Sequence, residues 1–240
     1  MPTTRSPRKG SLQFWPRRRV KRVRARLRTK GDGEKGILGF AGYKAGMVHA
    51  MVIDNRAGSL TKGSTIAVPM TVIECPALRV FGINFYKRTP QGLALSSTFT
   101  ATKNTKELSR LIPAPKKTKK RLEEYKAEDY QDIRLIVYTQ PKQTGVGKKK
   151  PEMFEVGLGG NIEDKLAFAK ECLGKDIGLK DVLKEGQIID VHAITKGKGF
   201  RGTVKRFGVS IRRHKSEKTK RGVGNLGAWT PKHTSWRVPQ

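Results

Sequence analysis

The chain has 240 residues, with 51 Lys and Arg against 20 Asp and Glu, for a formal net charge of +31. That length can bury one sizeable core, or one core with a smaller satellite. The charge is far beyond what solubility needs and opposes compaction, which excludes an ordinary soluble enzyme with an acidic tail and points to a phosphate-rich partner.

Cys75 and Cys172 lie in apolar strand and helix patterns and suggest no disulfide framework. The basic N-terminus lacks an apolar h-region, and no stretch is long and apolar enough to span a bilayer, so neither a signal peptide nor a membrane span is read.

Residues 1–35 are read as a basic arm. Pro2, Pro7 and Pro16 break regular structure, and cations such as Arg8, Lys9, Arg17, Arg18, Arg19 and Arg22 recur with no acid before Asp32. Trp15 and Phe14 inside this run suit stacking on bases while guanidinium groups fork onto phosphates. A floppy solubilising tail is the bland alternative; an arm that orders on RNA is favoured.

A compact domain is expected from Gly36. Glycines recur through Gly39, Gly42 and Gly46, the last near Lys44, as suits short strands with tight bends. Strands are expected at Met47–Ile53, Ile66–Cys75, Leu78–Lys87 and up to Phe99, with Pro69 arguing for an edge or bulge. Many short strands at this spacing argue for a small barrel or sandwich. Short helices are expected at Asn104–Leu111 and Arg121–Lys126, and a strand at Asp132–Thr139. Phe154–Val156 is a further brief strand. Asn161 and Asp164 read as a capping box for a helix whose Ile162, Leu166, Ala169 and Leu173 share one face. One more helical turn follows at 176–183. Gln187–Thr195 is read as a strand returning to the barrel.

The last stretch, 196–240, has Glu217 as its sole acid. Such a segment has little to bury and many like charges to hold apart. Lys196, Lys198, Arg201, Lys205, Arg206, Arg212, Arg213, His214, Lys215, Lys220, Arg221 and Asn225 are the polar candidates for RNA contact. Trp229, His233 and Trp236 are the ring-bearing ones. Gly197, Gly199, Gly202, Gly222, Gly224 and Gly227 would let the backbone approach phosphates closely. Trp229 and Trp236 could alternatively pack between two halves of a loop.

Gly197 to Gly202 matches GxGxxG literally. A dinucleotide site also needs a helix after the glycines and a βαβ unit, and Thr203–Ile211 shows no helical apolar stripe. His49 and His192 fall in expected strands and read as structural, hydrogen-bonded histidines. With no CxxC, HxxxH or clustered carboxylates, no metal, cofactor, small-molecule substrate or catalytic residue is read, and the chain is not expected to be an enzyme.

Pro7–Leu12, Gly39–Met47, Thr195–Gly199, Val204–Val209, Arg221-Gly222 and Gly224–Pro231, in this order and spacing, together resemble the ribosomal protein L3 (uL3) family in its archaeal form. The resemblance implies a mainly β fold, with an α/β insertion in a six-stranded β-barrel like those of translation factors, a long basic N-terminal arm and a basic loop extension. The expected division is 1–35 arm, 36–99 first part of the barrel, 100–175 insertion, 176–195 return to the barrel, and 196–240 extension. It further implies a structural protein of the large ribosomal subunit in the cytoplasm. Such a protein binds large-subunit rRNA, supports early assembly and contacts neighbours including ribosomal protein L14. The loop reaches toward the peptidyl transferase centre, its tip tryptophan matches Trp229, and a histidine modified in some relatives falls at Lys220. Family members continue beyond the equivalent of Gln240. The sequence therefore reads as a fragment, or as a shortened chain whose barrel lacks closing strands. A non-ribosomal RNA-binding or RNA-processing protein is the alternative function, and a DNA-compacting protein a weaker third.

Overall fold

The computed structural model describes residues 13, 19–27, 35–101, 105–113, 121–215, 218–227 and 229–230. The chain divides into two units, one drawn from Met1–Ala25 and His192–Gln240, the other from Arg26–Val191.

The second unit is organised by β4 (Leu78–Thr89), rich in the β-branched and aromatic residues that suit a buried pleated ladder. It pairs antiparallel with β5 (Gly92–Thr100) across a turn at Pro90-Gln91, and with β6 (Asp132–Tyr138). β7 (Met153–Gly159) follows β6, and the short β1 (Gly36–Ile37) ends the sheet. A second short strand, β8 (Asp176–Ile177), pairs with Leu78 and Arg79. Arg79 is already opposite Tyr138 of β6, so β8 must occupy the other edge of β4, the one β5 uses from Gly82 onward.

A bulge between Val80 and Gly82 reverses the side-chain parity of β4. Leu78 and Val80 therefore share a face with Ile83 and Phe85, while Phe81 turns to the other side. On the first face these four meet Ile133, Leu135, Val137, Val156 and Leu158 beneath Leu166 and Ala169 of helix α1 (Ile162–Cys172). Each such burial contributes roughly 1.5–3 kcal/mol. Phe85 also stacks on Tyr125 at 4.4 Å between centroids. Phe81, Leu108 and Tyr138 form a smaller cluster on the second face. At the bulge β5 runs so close that a Cβ on Gly82 would fall 2.5 Å from the Phe99 carbonyl oxygen.

Asn161 stands extended before α1, and its carbonyl accepts from the Lys165 amide, but its side chain makes no cap bond. Asp164 is instead held by Lys35 at 2.9 Å, so the expected capping box is not formed. Lys165 is buried and donates to Asp132 at 3.0 Å. Removing the Asp132 carboxylate would strand the buried Lys165 ammonium, at a cost of about 3–5 kcal/mol, whereas removing Lys165 would leave Asp132 paired with Arg134.

β2 (Tyr43–Ile53) and β3 (Thr65–Glu74) form a separate two-stranded ribbon, paired from Tyr43 opposite Glu74 to Ile53 opposite Thr65 with one register shift between Lys44 and Gly46. Met47, Val48, Met51, Val52, Ile53, Met70, Val72 and Ile73 on it are exposed. The ribbon's tip is fixed by Asp54. Its carboxylate accepts from Arg56 Nε and Nη2, from the Arg56 amide, and from the Ser59 and Thr61 hydroxyls. These donors, Arg56 first, hold its pKa far below the usual carboxylate range.

The expected six-stranded barrel is not the architecture found. The larger sheet is an open path, β1-β7-β6-β4-β5 with β8 off β4, and the ribbon is a sheet of its own. Nor do β6, β7 and α1 form an insertion beside a barrel, because β6 hydrogen-bonds directly to β4. The expected strand at Gln187–Thr195 is absent, and Ile188 is 96% exposed. Its alternating pattern supplied side chains suited to a strand, but a strand exists only with a neighbour to hydrogen-bond. The helices expected near 104–111 and 121–126 shrink to single 3-10 turns, Leu108–Arg110 and Leu122–Glu124.

Two outcomes test this account. Gly82→Ala should lower stability by about 1–3 kcal/mol in urea unfolding, as overpacking does; Gly145→Ala, where a Cβ meets open space, should stay within ~0.5 kcal/mol. Asp54→Asn should speed amide exchange at Gly63, whose N–H donates to the Asp54 carbonyl. Because the folded pKa of Asp54 is depressed, its stabilisation is complete above the ordinary carboxylate value of about 4 and is lost as pH falls below it. Protection at Gly63 should therefore weaken from about pH 4 to pH 2 in the parent protein and change little in Asp54→Asn.

Candidate nucleic-acid interface

Charge is segregated between the two units. Met1–Ala25 and His192–Gln240 hold 22 Lys and Arg against one acid, a net of +21; Arg26–Val191 holds 29 against 19, a net of +10. Several carboxylates of the sheet unit are engaged within it. Glu155 accepts from Asn84 Nδ2 at 3.0 Å and from the Tyr86 hydroxyl, and lies 3.8 Å from Arg134. Burial, reinforced by Glu155, pushes the Tyr86 hydroxyl up to about 12. Asp132 is shared by Arg134 and Lys165. None of these groups lies in the basic segment, so its cations have almost no acid of their own to pair with.

Short-range bonds shape the basic unit. Gly202 precedes a five-residue helix, α2 (Thr203–Phe207), closed by Gly208 in the left-handed region at φ +70°. Cationic Lys205 and Arg206 lie in its last turn, where the helix dipole favours them. The Thr203 hydroxyl donates to the Arg221 carbonyl at 2.5 Å, and the Arg212 amide donates to the Lys220 carbonyl at 3.1 Å. Two pairs of residues, eight and eighteen apart in sequence, are thus tied across a loop of cations. Asn225 Oδ1 accepts from the Gly227 amide at 2.9 Å, and Gly227 at φ +106° is a conformation that a side chain would strain.

Within this unit the structure exposes Arg19, Arg22, Lys196, Lys198, Lys205, Arg206, Arg212, Arg213, His214, Lys215, Lys220, Arg221 and Asn225. Arg201 is half-buried and donates to the Lys205 carbonyl. Trp229 is 66% exposed. The backbone at Gly197, Gly199, Gly202 and Gly227 has open space on its Cβ side, whereas a Cβ on Gly222 would meet the Thr219 methyl at 2.8 Å. Gly224 has Arg212 Nη2 at 3.9 Å from the same position. Lys44 is exposed on β2, in the other unit. Arg8, Lys9, Trp15, Arg17, Arg18, His233 and Trp236 lie outside the described residues.

Two features escaped the sequence reading. The glycine run leads into α2 after all, a helix too short for an apolar stripe; Gly202 and Gly208 as its boundaries were the available signal. Phe200 is 93% exposed, with the Arg19 guanidinium 5.7 Å from its ring centroid. A dinucleotide fold does not follow from α2. No strand precedes the glycines at 187–195, and among the described residues every pairing of strands is antiparallel. His49 and His192 are exposed rather than buried and hydrogen-bonded, and His192 lies outside any strand. Among the described residues no three His, Cys, Asp or Glu side chains converge as a metal site, and no helix is long and apolar enough to cross a membrane.

An acid-poor, turn-pinned segment that displays cations, rings and bare backbone defines the class: a nucleic-acid-binding protein whose working surface is electrostatic. Comparison with known proteins gives the particular case. The profile described as Ribosomal protein L3 matches residues 1–240. The chain is 46% identical to large ribosomal subunit protein uL3 of Methanosphaera stadtmanae over 97% of its own length and 72% of that protein's. It is 41% identical to the uL3 protein of Methanothermobacter thermautotrophicus (98% and 72% covered) and 43% identical to that of Archaeoglobus fulgidus, with the same coverage. The chain belongs to the ribosomal protein L3 family, and its relatives are archaeal. It is a structural, rRNA-binding constituent of the large ribosomal subunit and not an enzyme.

Because the Thr203–Arg221 bond ties α2 to the loop, Thr203→Val should loosen both. Losing one such bond costs about 1 kcal/mol. Amide exchange at Arg206 and Gly208, which donate to Gly202 and Val204, should accelerate roughly fivefold.

Proposed function

We propose that the protein works by neutralising large-subunit rRNA and wedging into it, with residues 1–35, most of them in the basic unit, as an arm and 196–240 as a penetrating extension. The observation that carries this reading is the net charge of +21 on the 74 residues of that unit, with Glu217 as its only acid. Lys196, Lys198, Lys205, Arg206, Arg212, Arg213, Lys215, Lys220 and Arg221 take the phosphates. Asn225, His214 and Trp229 add hydrogen bonds and stacking, and the glycines 197, 199 and 202 admit close backbone approach. Arg8, Lys9, Trp15, Arg17, Arg18, Arg19 and Arg22 of the arm, Lys44 of β2, and His233 and Trp236 belong to the same proposal.

The likeness to uL3 proteins supports three finer statements: the extension is directed toward the peptidyl transferase centre, the protein supports early subunit assembly, and it contacts ribosomal protein L14. Chemistry at that centre belongs to the RNA. The protein shapes its surroundings by screening phosphate repulsion.

The test is binding to large-subunit rRNA as a function of salt. About ten phosphate contacts predict a slope of log K on log salt near −9 on duplex regions and near −7 on single strands. Replacing Lys205, Arg206, Arg212 and Arg213 together by Gln should flatten the slope by about three to four. In cells the protein should sediment with large subunits at moderate salt. A slope near zero, or sedimentation apart from the subunit, would overturn the proposal.

A further inference from the structure

Phe200 is the most exposed aromatic ring among the described residues of the basic unit, at 93% against 66% for Trp229, while Phe207 is half-buried. It sits at a bend, directly after Gly199, whose φ of +62° places the preceding peptide in a conformation glycine tolerates best. A Cβ built on Gly197, Gly199 or Gly202 would meet no atom within 4 Å, and the one side chain directly beside Phe200 in sequence, Arg201, is turned back to donate to the Lys205 carbonyl. The Arg19 guanidinium stands 5.7 Å from the ring centroid, within cation–π range, and leaves the ring almost wholly accessible. Lys198 is two residues away along the chain, a reach of roughly 7 Å, and is exposed.

We propose that Phe200 is a stacking platform for an unpaired nucleobase of RNA, with Arg19 as its cationic support. This rests on the reading that the basic unit binds RNA. A flat, uncharged ring that follows Gly199 and stays 93% exposed, with Arg201 turned back onto the Lys205 carbonyl, offers a base an open face. The exposed Lys198 then meets the phosphate of the stacked nucleotide. Arg19 polarises the ring and adds a charge to the same nucleotide's surroundings, so one residue from each end of the sequence contributes to one subsite. A base within a continuous duplex has no free face to give, so the ligand class is a single strand, a bulge or a splayed loop nucleotide.

The experiment uses the full 240-residue chain with two probes: a short single-stranded RNA carrying a fluorescent adenine analogue, and a blunt RNA duplex of equal length. Stacking predicts that Phe200→Ala weakens single-strand binding about tenfold or more and abolishes quenching of the analogue. The slope on salt should not change, because no charge is removed, and duplex binding should change by less than about twofold. Phe200→Trp should bind and quench as the parent does. Phe200→Leu, equally apolar but without a π face, should resemble Phe200→Ala. Circular dichroism should be unaltered in all three, as expected for a side chain this exposed. Equal losses on both probes, retention by Phe200→Leu, or indifference to Phe200→Ala would overturn the stacking proposal while leaving the salt-dependent binding intact. A parent chain that bound neither probe with a steep salt response would overturn the RNA reading and the subsite together.

Discussion

Like-charge repulsion in the basic unit governs what that part of the chain can be. Two unit charges at 4 Å repel by about 1 kcal/mol even in water, and screening at physiological salt reaches only about 8 Å. With 22 cations and a single carboxylate in 74 residues, no packing scheme can pair them internally. Its described residues therefore show what remains when burial is not available: the short helix α2, turns closed by glycines, and a few backbone anchors such as Thr203 to Arg221 and Arg212 to Lys220. Each anchor is local and weak by itself. Together they give the loop a preferred course without neutralising it, which leaves the charge for the partner.

The sheet unit follows the opposite logic. Carboxylates packed on its sheet are paired with its own cations, as Glu155 and Asp132 are with Arg134 and Lys165. Its stability comes from a two-faced layer around β4, where the bulge at Val80–Gly82 lets one strand serve two apolar clusters. Segregating acids into the sheet unit and sparing the basic one is what allows a protein of this charge to hold a core at all.

The sequence disclosed elements better than it disclosed their assembly. The strands of β2, β3, β4, β5, β6 and β7 and helix α1 were legible because alternation and i, i+3, i+4 spacing are written locally. Of the two settings expected for Pro69, an edge or a bulge, the structure has the edge: it lies opposite His49 in a ribbon where β3 has no second neighbour among the described residues. What failed was long-range. A barrel requires particular edges to meet, and nothing in the alternation of Gln187–Thr195 encodes which edge it would join. The capping box failed for a related reason, since Asp164 found Lys35, a partner 129 residues away. In the basic segment composition alone named the chemistry, and the described cations from Lys196 to Arg221, apart from the half-buried Arg201, are exposed. Phe200 was passed over because attention to tryptophans, and to the glycines as phosphate cradles, left the phenylalanine between them without a role.

The β2–β3 ribbon has a consequence for how this chain can be handled. Its apolar side chains from Met47 to Ile53 and from Met70 to Ile73 face solvent, and among the described residues neither long edge has a ladder partner. A pair of unprotected edges bearing Met, Val and Ile is a template for adding strands from any chain that offers one. In isolation the cheapest such donor is another copy. Protein concentration then becomes the variable that decides between a dispersed molecule and a stacked one, and the strong positive charge elsewhere sets the concentration at which stacking begins. Salt, by screening that charge, would bring the threshold down, so the conditions that release the protein from RNA are the ones in which it is least able to stay alone.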